Sequence, residues 1–409
     1  MTEDQAAIGP STCIGLHSLA SRETDGEWIV GRMATGRFVA IPELGVHALR
    51  HLRHGLSVSE AEARLIAETG DEADLAQFVR ALMVLGFVAS VDGRRLPQPD
   101  PPRPSLPWLR PEHVRFVLHP SLPVLVAALV LAATAVLLLR PELIPTYRGL
   151  LWNDHGSAVL LLIFSAGWLL VLLHEFAHLA VARATGVPAR IRFGTRLQFL
   201  VMQTDISGIE LASRRHRLTA YLAGIAVNLT VAAASVLALA ILPLGTAPHR
   251  VLTALALIAV LPLSFQLMVF MRTDLYFVLQ DLTGCHALFT DGRTYAAYAC
   301  RRGLHSLTRR GPTPTDPSLG MKPRERMAVR IYSIFLVVGT TLCLAALTLL
   351  TLPTDYALLA DALSRIGPGN SPTRHLDGVT VIVLLGGSQV LWAVTWWRGR
   401  RARRHATQP

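Results

Sequence analysis

The sequence predicts a mostly helical membrane protein with about six transmembrane helices and a small N-terminal α/β domain. Three observations support this class. First, the 409 residues are 51% hydrophobic, with a mean hydropathy of +0.41. Second, long apolar segments dominate residues 114–404, whereas residues 1–92 show short β-rich runs and amphipathic helical patterns. Third, a stretch rich in proline lies between the two parts, which predicts a linker there.

The N-terminal part, residues 1–92, is predicted to be a winged-helix-like unit. The runs EWIVGRM and RFVAIP are joined by a glycine-containing turn, which predicts a β-hairpin over Glu27–Ile41. The preceding CIGLHSLA is compatible with a further strand. Three helices follow, and the second opens with Ser57 and Glu60 at the spacing of a capping box. Because these helices carry no dense stripe of arginine or lysine, we expect no nucleic acid partner.

The linker, residues 93–113, is predicted to be extended and semi-rigid because proline resists helix formation. The membrane part, residues 114–404, contains apolar segments that are each long enough to cross about 30 Å of hydrocarbon. The expected spans are Leu122–Leu139, Ala158–Ala182, Leu218–Leu244, Val251–Leu282, Ile331–Leu352 and Val379–Trp397.

Arginine is concentrated in alternate connections between these segments. The connection after the second span, the loop Cys285–Arg326 and the tail are rich in arginine, whereas the intervening loops are poorer in it. By the positive-inside rule, we expect a multi-pass protein of the plasma membrane with cytoplasmic N- and C-termini. The N-terminus shows no charged-then-apolar leader, so no cleavable signal peptide is expected. The shortage of lysine relative to arginine indicates a bacterial protein from a high-GC genome.

The second span contains two histidines and a glutamate in the run LLHEFAHLAVARATG. On a helix, His174 and His178 lie on one face, one turn apart, so both imidazoles can bind one Zn²⁺. Glu175 would lie beside a water that the zinc activates, where a carboxylate can act as general base. Chance is the alternative, but each ionisable group in a membrane segment raises the insertion cost by roughly 2–3 kcal/mol. The pattern therefore predicts a zinc site.

A catalytic zinc usually has three protein ligands, so a third must come from elsewhere in the chain. Asp274, in VFMRTDLYFVL, is the preferred candidate because it is expected at the same membrane depth as His178. The alternative role for Asp274 is an ion pair with Arg272. Asp281, two turns further on, is the second candidate for the ligand, and Asp205 is a weaker third.

Two further features lie near these residues in the sequence. Asn228, in LAGIAVNL of the third span, either belongs to the site or makes a helix–helix hydrogen bond, with Gly224 allowing close packing. Between the second and third spans, Ile191 to Val201 alternates apolar and polar residues with a period of two, which predicts strands. Their edge could hold an extended substrate by backbone pairing. Alternatively, the strands form an amphipathic hairpin on the membrane surface.

Together these motifs resemble the site-2 proteases, which are intramembrane zinc metalloproteases. The matching residues are His174, Glu175, His178, Gly224, Asn228 and Asp274. The resemblance covers residues 158–283 and implies a three-helix core with a membrane-associated β-hairpin. It also implies that the two histidines and Asp274 bind zinc, that Glu175 is the general base, and that Asn228 contributes to the catalytic site. Leu275 departs from the family pattern, in which glycine usually follows the aspartate.

The N-terminal unit is similar in its order of elements to PqqD-like domains, which bind leader peptides of ribosomally made, modified peptides. The two resemblances imply a zinc metalloendopeptidase that cuts a peptide or membrane-protein substrate in or near the lipid bilayer, during maturation of such a peptide. The alternative is a non-hydrolytic leader-binding factor for export or immunity. Glu175 disfavours it, because structural zinc needs no general base. A metal transporter is disfavoured because the ligands cluster at one depth.

Overall fold

The computed structural model describes residues 8–24, 27–97, 103–153, 156–197, 199–285, 287–308 and 315–406. Within these ranges the protein is mostly helical and contains three small antiparallel sheets. Six of the described helices are long and apolar enough to cross a membrane. The chain therefore has the architecture of a helical multi-pass membrane protein with a small N-terminal α/β domain.

The N-terminal domain consists of two small sheets and three helices. Its elements are β1 (Ile14–Leu16), β2 (Ala20–Thr24), β3 (Glu27–Arg32), β4 (Arg37–Ile41), α1 (Glu43–Arg53), α2 (Val58–Thr69), α3 (Leu75–Leu85), β5 (Val88–Val91) and β6 (Arg94–Arg95). One sheet has the order β2-β3-β4 and the other β1-β5-β6. The hairpin predicted over Glu27–Ile41 thus forms as β3 and β4, with β2 as a third strand beside β3.

Helix boundaries in this domain follow from side-chain caps. The backbone N–H of Glu60 donates to Ser57 Oγ (3.4 Å), and the N–H of Ser57 donates to Glu60 Oε2 (2.9 Å). This is the predicted capping box, and its hydrogen bonds from Ser57 hold the pKa of Glu60 below its usual value. Asp74 caps α3, and Gly86 ends that helix in the left-handed conformation, where glycine carries no steric cost.

One apolar core joins the three helices and both sheets of this domain. Its most buried side chains are Val30, Leu52, Leu65, Leu75, Val79, Leu82, Phe87 and Val88. Each such side chain stabilises the fold by about 1.5–3 kcal/mol relative to its exposed state. Because β6 pairs with β5 at residues 94–95, the domain continues past the expected boundary at residue 92.

The C-terminal half of the proline-rich segment packs against the membrane part. The N–H of Ser105 donates to the carbonyl of Ala189 (3.1 Å), and Ser105 Oγ accepts from the N–H of Ile191 (3.0 Å). The segment then enters a short helix, α4 (Pro111–Val114). Hydrogen bonds of Ser105 therefore hold this part of the predicted semi-rigid linker against the membrane part.

The membrane part contains ten helices and one β-hairpin within the described residues. They are α5 (Ser121–Leu139), α6 (Gly156–Ala184), β7 (Arg190–Arg196), β8 (Phe199–Asp205), α7 (Arg214–Leu239), α8 (Ala247–Gln266), α9 (Asp274–Thr283), α10 (Leu288–Thr308), α11 (Pro323–Ala346), α12 (Leu352–Arg365), α13 (Pro372–Val381) and α14 (Gly387–Ala406). Helix α7 is central, because it packs against α5, α6, α8 and α9. The first three expected spans correspond to α5, α6 and α7.

The fourth expected span, Val251–Leu282, is wrong as a single helix. Helix α8 ends at Gln266, and α9 begins at Asp274. Between them Arg272 adopts a left-handed backbone (φ 58°) and Thr273 an extended one, which interrupts the helix. The side chain of Gln266 closes this turn by donating to Asp274 Oδ2 and accepting from the Asp274 N–H, each over 3.0 Å. Asp274 therefore stands at the start of a separate helix.

The last two spans are longer than expected. Helix α11 continues through a π-helical segment into α12, so one helical unit covers Pro323–Arg365 instead of Ile331–Leu352. Pro353 lies in the first turn of α12, directly after the π-helical segment. A proline has no backbone N–H to donate, and inside a helix its ring clashes with the carbonyl four residues earlier. The wider π-helical turn before Pro353 avoids this clash. Helices α13 and α14 are joined in the same way, which extends the sixth span to Pro372–Arg401.

The hairpin β7–β8 forms between α6 and α7, as the period-two pattern predicts. Its side chains and its turn contact two of the apolar helices. The ring of Phe193 packs against Trp168 of α6, with 6.0 Å between centroids. At the turn, Trp392 Nε1 of α14 donates to the carbonyl of Leu197 (3.2 Å). These contacts fix the hairpin beside the part of α6 that carries the histidines.

Candidate metal centre

Helix α6 brings together the two histidines and the glutamate of the sequence motif. The potential ligand atoms of His174, Glu175 and His178 all lie within 4.8 Å of one another. Glu175 and His178 are 8% and 4% exposed, so they lie inside the protein. Helical spacing accounts for the pairing of the imidazoles, whose ring centroids are 4.9 Å apart.

Asp274, from the start of α9, joins the two histidines. Its Oδ2 lies 3.0 Å from His174 Nε2 and 3.3 Å from His178 Nε2. Two donor atoms about 2.0–2.1 Å from a tetrahedral zinc ion are about 3.3 Å apart, so this spacing suits ligands of one ion. Arg272, the alternative partner of Asp274, instead lies over the ring of Phe289 at 5.6 Å from its centroid.

The second nitrogen of each imidazole has its own oxygen partner. His174 Nδ1 lies 3.3 Å from Asn228 Oδ1, and His178 Nδ1 lies 2.7 Å from the carbonyl of Ala220. An N–H donated to each oxygen leaves the lone pair of each Nε2 directed toward Asp274. His178 Nε2 is buried and makes no hydrogen bond, although Asp274 is close. A bound metal ion would satisfy this lone pair.

Helix α7 supports His174 through two residues, Gly224 and Asn228. A Cβ atom at Gly224 would overlap the His174 ring, so only glycine leaves room for it. Asn228 Nδ2 donates to the carbonyl of Ala259 in α8 (3.3 Å), so this one amide links three helices. Asn228 therefore makes the helix–helix bond and also contacts the site. It holds one histidine ring of the cluster, and the contribution to the catalytic site that the resemblance implies stays a prediction.

The carboxylate of Glu175 is held from the hairpin. Thr204 Oγ1, on β8, lies 2.8 Å from Glu175 Oε2 and 2.9 Å from the Glu175 carbonyl oxygen. Sequence reasoning did not find Thr204, because threonine is ordinary in a strand. It also missed Gln266, whose only signal was a polar side chain at the end of an apolar run.

The other candidate aspartates lie in ion pairs of their own. Asp281 is 10% exposed at its side chain and pairs closely with Arg217 of α7. Asp205 accepts from Arg190 across the hairpin, over 3.1 Å. Since neither belongs to the histidine cluster, the geometry favours Asp274 as the third ligand.

The donor set fits a transition metal that prefers nitrogen. Two imidazoles and one carboxylate match a zinc site that keeps one position open for water or substrate. Magnesium and calcium prefer oxygen ligands alone, so they fit these residues poorly. Helix α6 supplies both imidazoles, α9 supplies the carboxylate, and α7 fixes one ring through Asn228 and the other through Ala220.

No protein-family model matches the chain, and no curated protein or solved structure is detectably similar to it. The fold and the site define the class to which the protein belongs. It is a helical multi-pass membrane protein in which a His-Glu-His group on one apolar helix faces an aspartate at the start of another.

Proposed function

We propose that the protein is an intramembrane zinc metalloendopeptidase of the site-2 protease type, which hydrolyses a peptide bond in or near the bilayer. One observation carries this proposal. Asp274 Oδ2 lies 3.0 and 3.3 Å from the Nε2 atoms of His174 and His178, next to the carboxylate of Glu175. Two neutral imidazoles, one anionic ligand and an adjacent carboxylate are the parts that peptide hydrolysis on zinc requires.

A zinc ion held by His174, His178 and Asp274 would supply Lewis-acid activation of water and of the scissile carbonyl. Glu175 takes a proton from the attacking water and later gives it to the nitrogen of the leaving amine. The water oxygen bonds to the carbonyl carbon, and the carbon–nitrogen bond breaks. Asn228 and the Ala220 carbonyl keep the imidazoles in the orientation that binds metal. A purely structural zinc would need no carboxylate beside it, so Glu175 favours hydrolysis over non-hydrolytic binding.

The arrangement of elements supports the site-2 protease type. The motif residues lie on α6, α7 and α9 in chain order, and a β-hairpin follows α6. The ligands belong to apolar helices or to the turn that follows one, so a substrate bond must reach membrane depth to be cut. A membrane-buried or membrane-proximal peptide segment is therefore the expected substrate.

We assign the recognition of a leader peptide to the N-terminal domain, in the manner of PqqD-like domains. Strand β3 has a neighbour on each side, so an added strand has to pair with an edge strand. Strand β4 is the preferred edge, because Arg37 on it reaches the C-terminal carbonyls of α3 at Val84 and Leu85. Backbone pairing there would give affinity, and side-chain pockets would give specificity. The leader would belong to a ribosomally made, modified peptide.

Metal content and cleavage test the proposed function together. The full-length protein, purified in detergent, should contain about one zinc ion per chain. It should cut a synthetic precursor peptide that carries a leader and a membrane-spanning segment, stop on chelation and recover with added zinc. His174→Ala and His178→Ala should each lose most of the zinc. Full zinc content in both variants, or cleavage that chelation leaves unchanged, would contradict the proposal.

A further inference from the structure

We infer that Thr204 is a positioning residue for the general base: its hydroxyl holds the Glu175 carboxylate in its reactive orientation. This inference rests on the proposed function, because it assigns Glu175 the transfer of a proton. Thr204 Oγ1 lies 2.8 Å from Glu175 Oε2, at the usual distance of a hydrogen bond from a hydroxyl to an oxygen. With Oε2 engaged, Oε1 is the oxygen left to face the reacting water.

The hydroxyl has one hydrogen but two acceptors within reach. The second acceptor is the main-chain carbonyl oxygen of Glu175, 2.9 Å from Thr204 Oγ1. Because Glu175 lies inside α6, this oxygen also has the position of an acceptor for a helical backbone N–H. A carboxylate is the stronger acceptor, so the hydrogen goes to Oε2.

Thr204 is itself firmly placed. It pairs with Ile191 in the β7–β8 ladder, and the next pair along joins Asp205 to Arg190. The Asp205–Arg190 ion pair, at 3.1 Å, closes this end of the hairpin. A threonine side chain has a branched Cβ and few allowed rotamers, so a fixed backbone also fixes the hydroxyl. The support for Glu175 thus comes from a strand and not from a mobile loop.

Loss of the hydroxyl should affect turnover and little else. The side chain of Glu175 lies inside the protein, with the residue 8% exposed, so water replaces the missing donor poorly. A misplaced general base commonly costs about 100-fold in rate, so we expect kcat to fall about 10- to 100-fold. KM and zinc content should stay unchanged, because Thr204 contacts neither the imidazoles nor the carboxylate of Asp274 in the described hydrogen bonds.

The test compares Thr204→Val, which keeps the size but loses the hydroxyl, with Thr204→Ser, which keeps the hydroxyl. Thr185→Val is the matched control, since Thr185, in the turn directly after α6, donates to the carbonyl of Ala182 and lies away from Glu175. In the full-length protein, kcat, KM, zinc content and melting temperature are measured. Only Thr204→Val should lose turnover, with its zinc content and KM at wild-type values. Equal turnover in Thr204→Val and wild type would overturn the inference, as would loss of zinc.

A double-mutant cycle with Glu175→Gln shows whether Thr204 acts through the base. Thr204→Val should cost nothing further once Glu175 is replaced, and an additive loss would refute the positioning role. Infrared difference spectra against Glu175→Gln give a readout that needs no activity. The Glu175 carboxylate band should shift in Thr204→Val and stay in place in Thr204→Ser. An unshifted band would overturn the inference even in a protein that cleaves nothing, whereas a shifted band without cleavage would refute only the proposed function.

Discussion

Gly224 sets how closely α7 can approach the face of α6 that carries the two histidines. A Cβ atom there would meet three atoms of the His174 ring, including Nε2. Asn228, one turn further along the same helix, also holds the ring through its Nδ1 atom. The spacing of one glycine and one asparagine on α7 therefore determines where the first imidazole points.

We expect Gly224→Ala to lose most of its bound zinc, because the new methyl group displaces His174 Nε2 from Asp274. Gly167→Ala is the control: Gly167 lies on α6, and a Cβ atom there meets nothing within 4 Å. Metal analysis of the two purified variants gives the comparison. Full zinc content in Gly224→Ala would contradict this prediction, because the His174 ring would then bind zinc from another position.

Among single residues, the sequence predicts those site residues that lie close together along the chain. His174, Glu175 and His178 lie within one helical turn and a half, so their approach follows from helix geometry alone. Asp274 was predicted because its expected depth in the membrane matches that of His178. Thr204 and Gln266 were not predicted, because each acquires its role only through a contact with a residue that the fold brings near. Neither threonine in a strand nor glutamine at a helix end signals such a contact.

Among the elements, α9 determines where the carboxylate of Asp274 lies. Its last turns are tied to α7 by the ion pair of Asp281 with Arg217, in which each side chain is 10% exposed. Its first residue, Asp274, is tied to α8 by Gln266. The two ends of α9 are thus anchored to different helices, which fixes the carboxylate relative to the histidines.

Asp281→Asn should destabilise the protein and leave the zinc in place. The variant keeps the shape but leaves the Arg217 guanidinium buried without a counter-charge, which typically costs about 3 kcal/mol. The melting temperature should fall while zinc content per folded chain stays at the wild-type value. Asp361→Asn, which removes an exposed i,i+4 pair with Arg365, is the control and should change little. Loss of zinc without loss of stability would identify Asp281 as the ligand in place of Asp274.

The interruption between α8 and α9 shows why element boundaries escape sequence reasoning here. Residues 267–271 read LMVFM, so hydropathy continues across the break and predicts one long span. The helix ends because Gln266 and Asp274 bond to each other and because Arg272 is left-handed. By contrast, Ser57 and Glu60 predict the start of α2 correctly, since a capping box acts within four residues.

In the whole molecule, the N-terminal domain rests directly on the membrane part. Arg22 of β2 donates to the carbonyls of Glu210 and Ala212, just after the hairpin. Met33, at the β3–β4 turn, packs against Gly208 in the same segment. The N-terminal domain and the membrane part are therefore in direct contact as well as being joined by the predicted semi-rigid linker.

We propose that both termini and the segment Cys285–Arg326 face the cytoplasm of a bacterial cell. The six apolar helices would return the chain to the side where it began, and arginine is concentrated on that side. In a cysteine-free background, single cysteines at Arg301 and Arg400 should resist an impermeant thiol reagent in intact cells and react after lysis. A cysteine at Gly369, between α12 and α13, should react in intact cells. Labelling of Arg301 or Arg400 from outside would contradict this orientation.

The comparison of wild type with Glu175→Gln tests the hydrolytic function most directly. The amide preserves the size of the side chain but cannot accept the proton of water. We predict that the variant keeps its zinc at the wild-type level and loses cleavage by about 10²- to 10⁴-fold, the usual contribution of a general base. Normal turnover in Glu175→Gln, measured on the same substrate with the zinc content shown to be equal, would contradict the assignment of this protein as a zinc metalloendopeptidase.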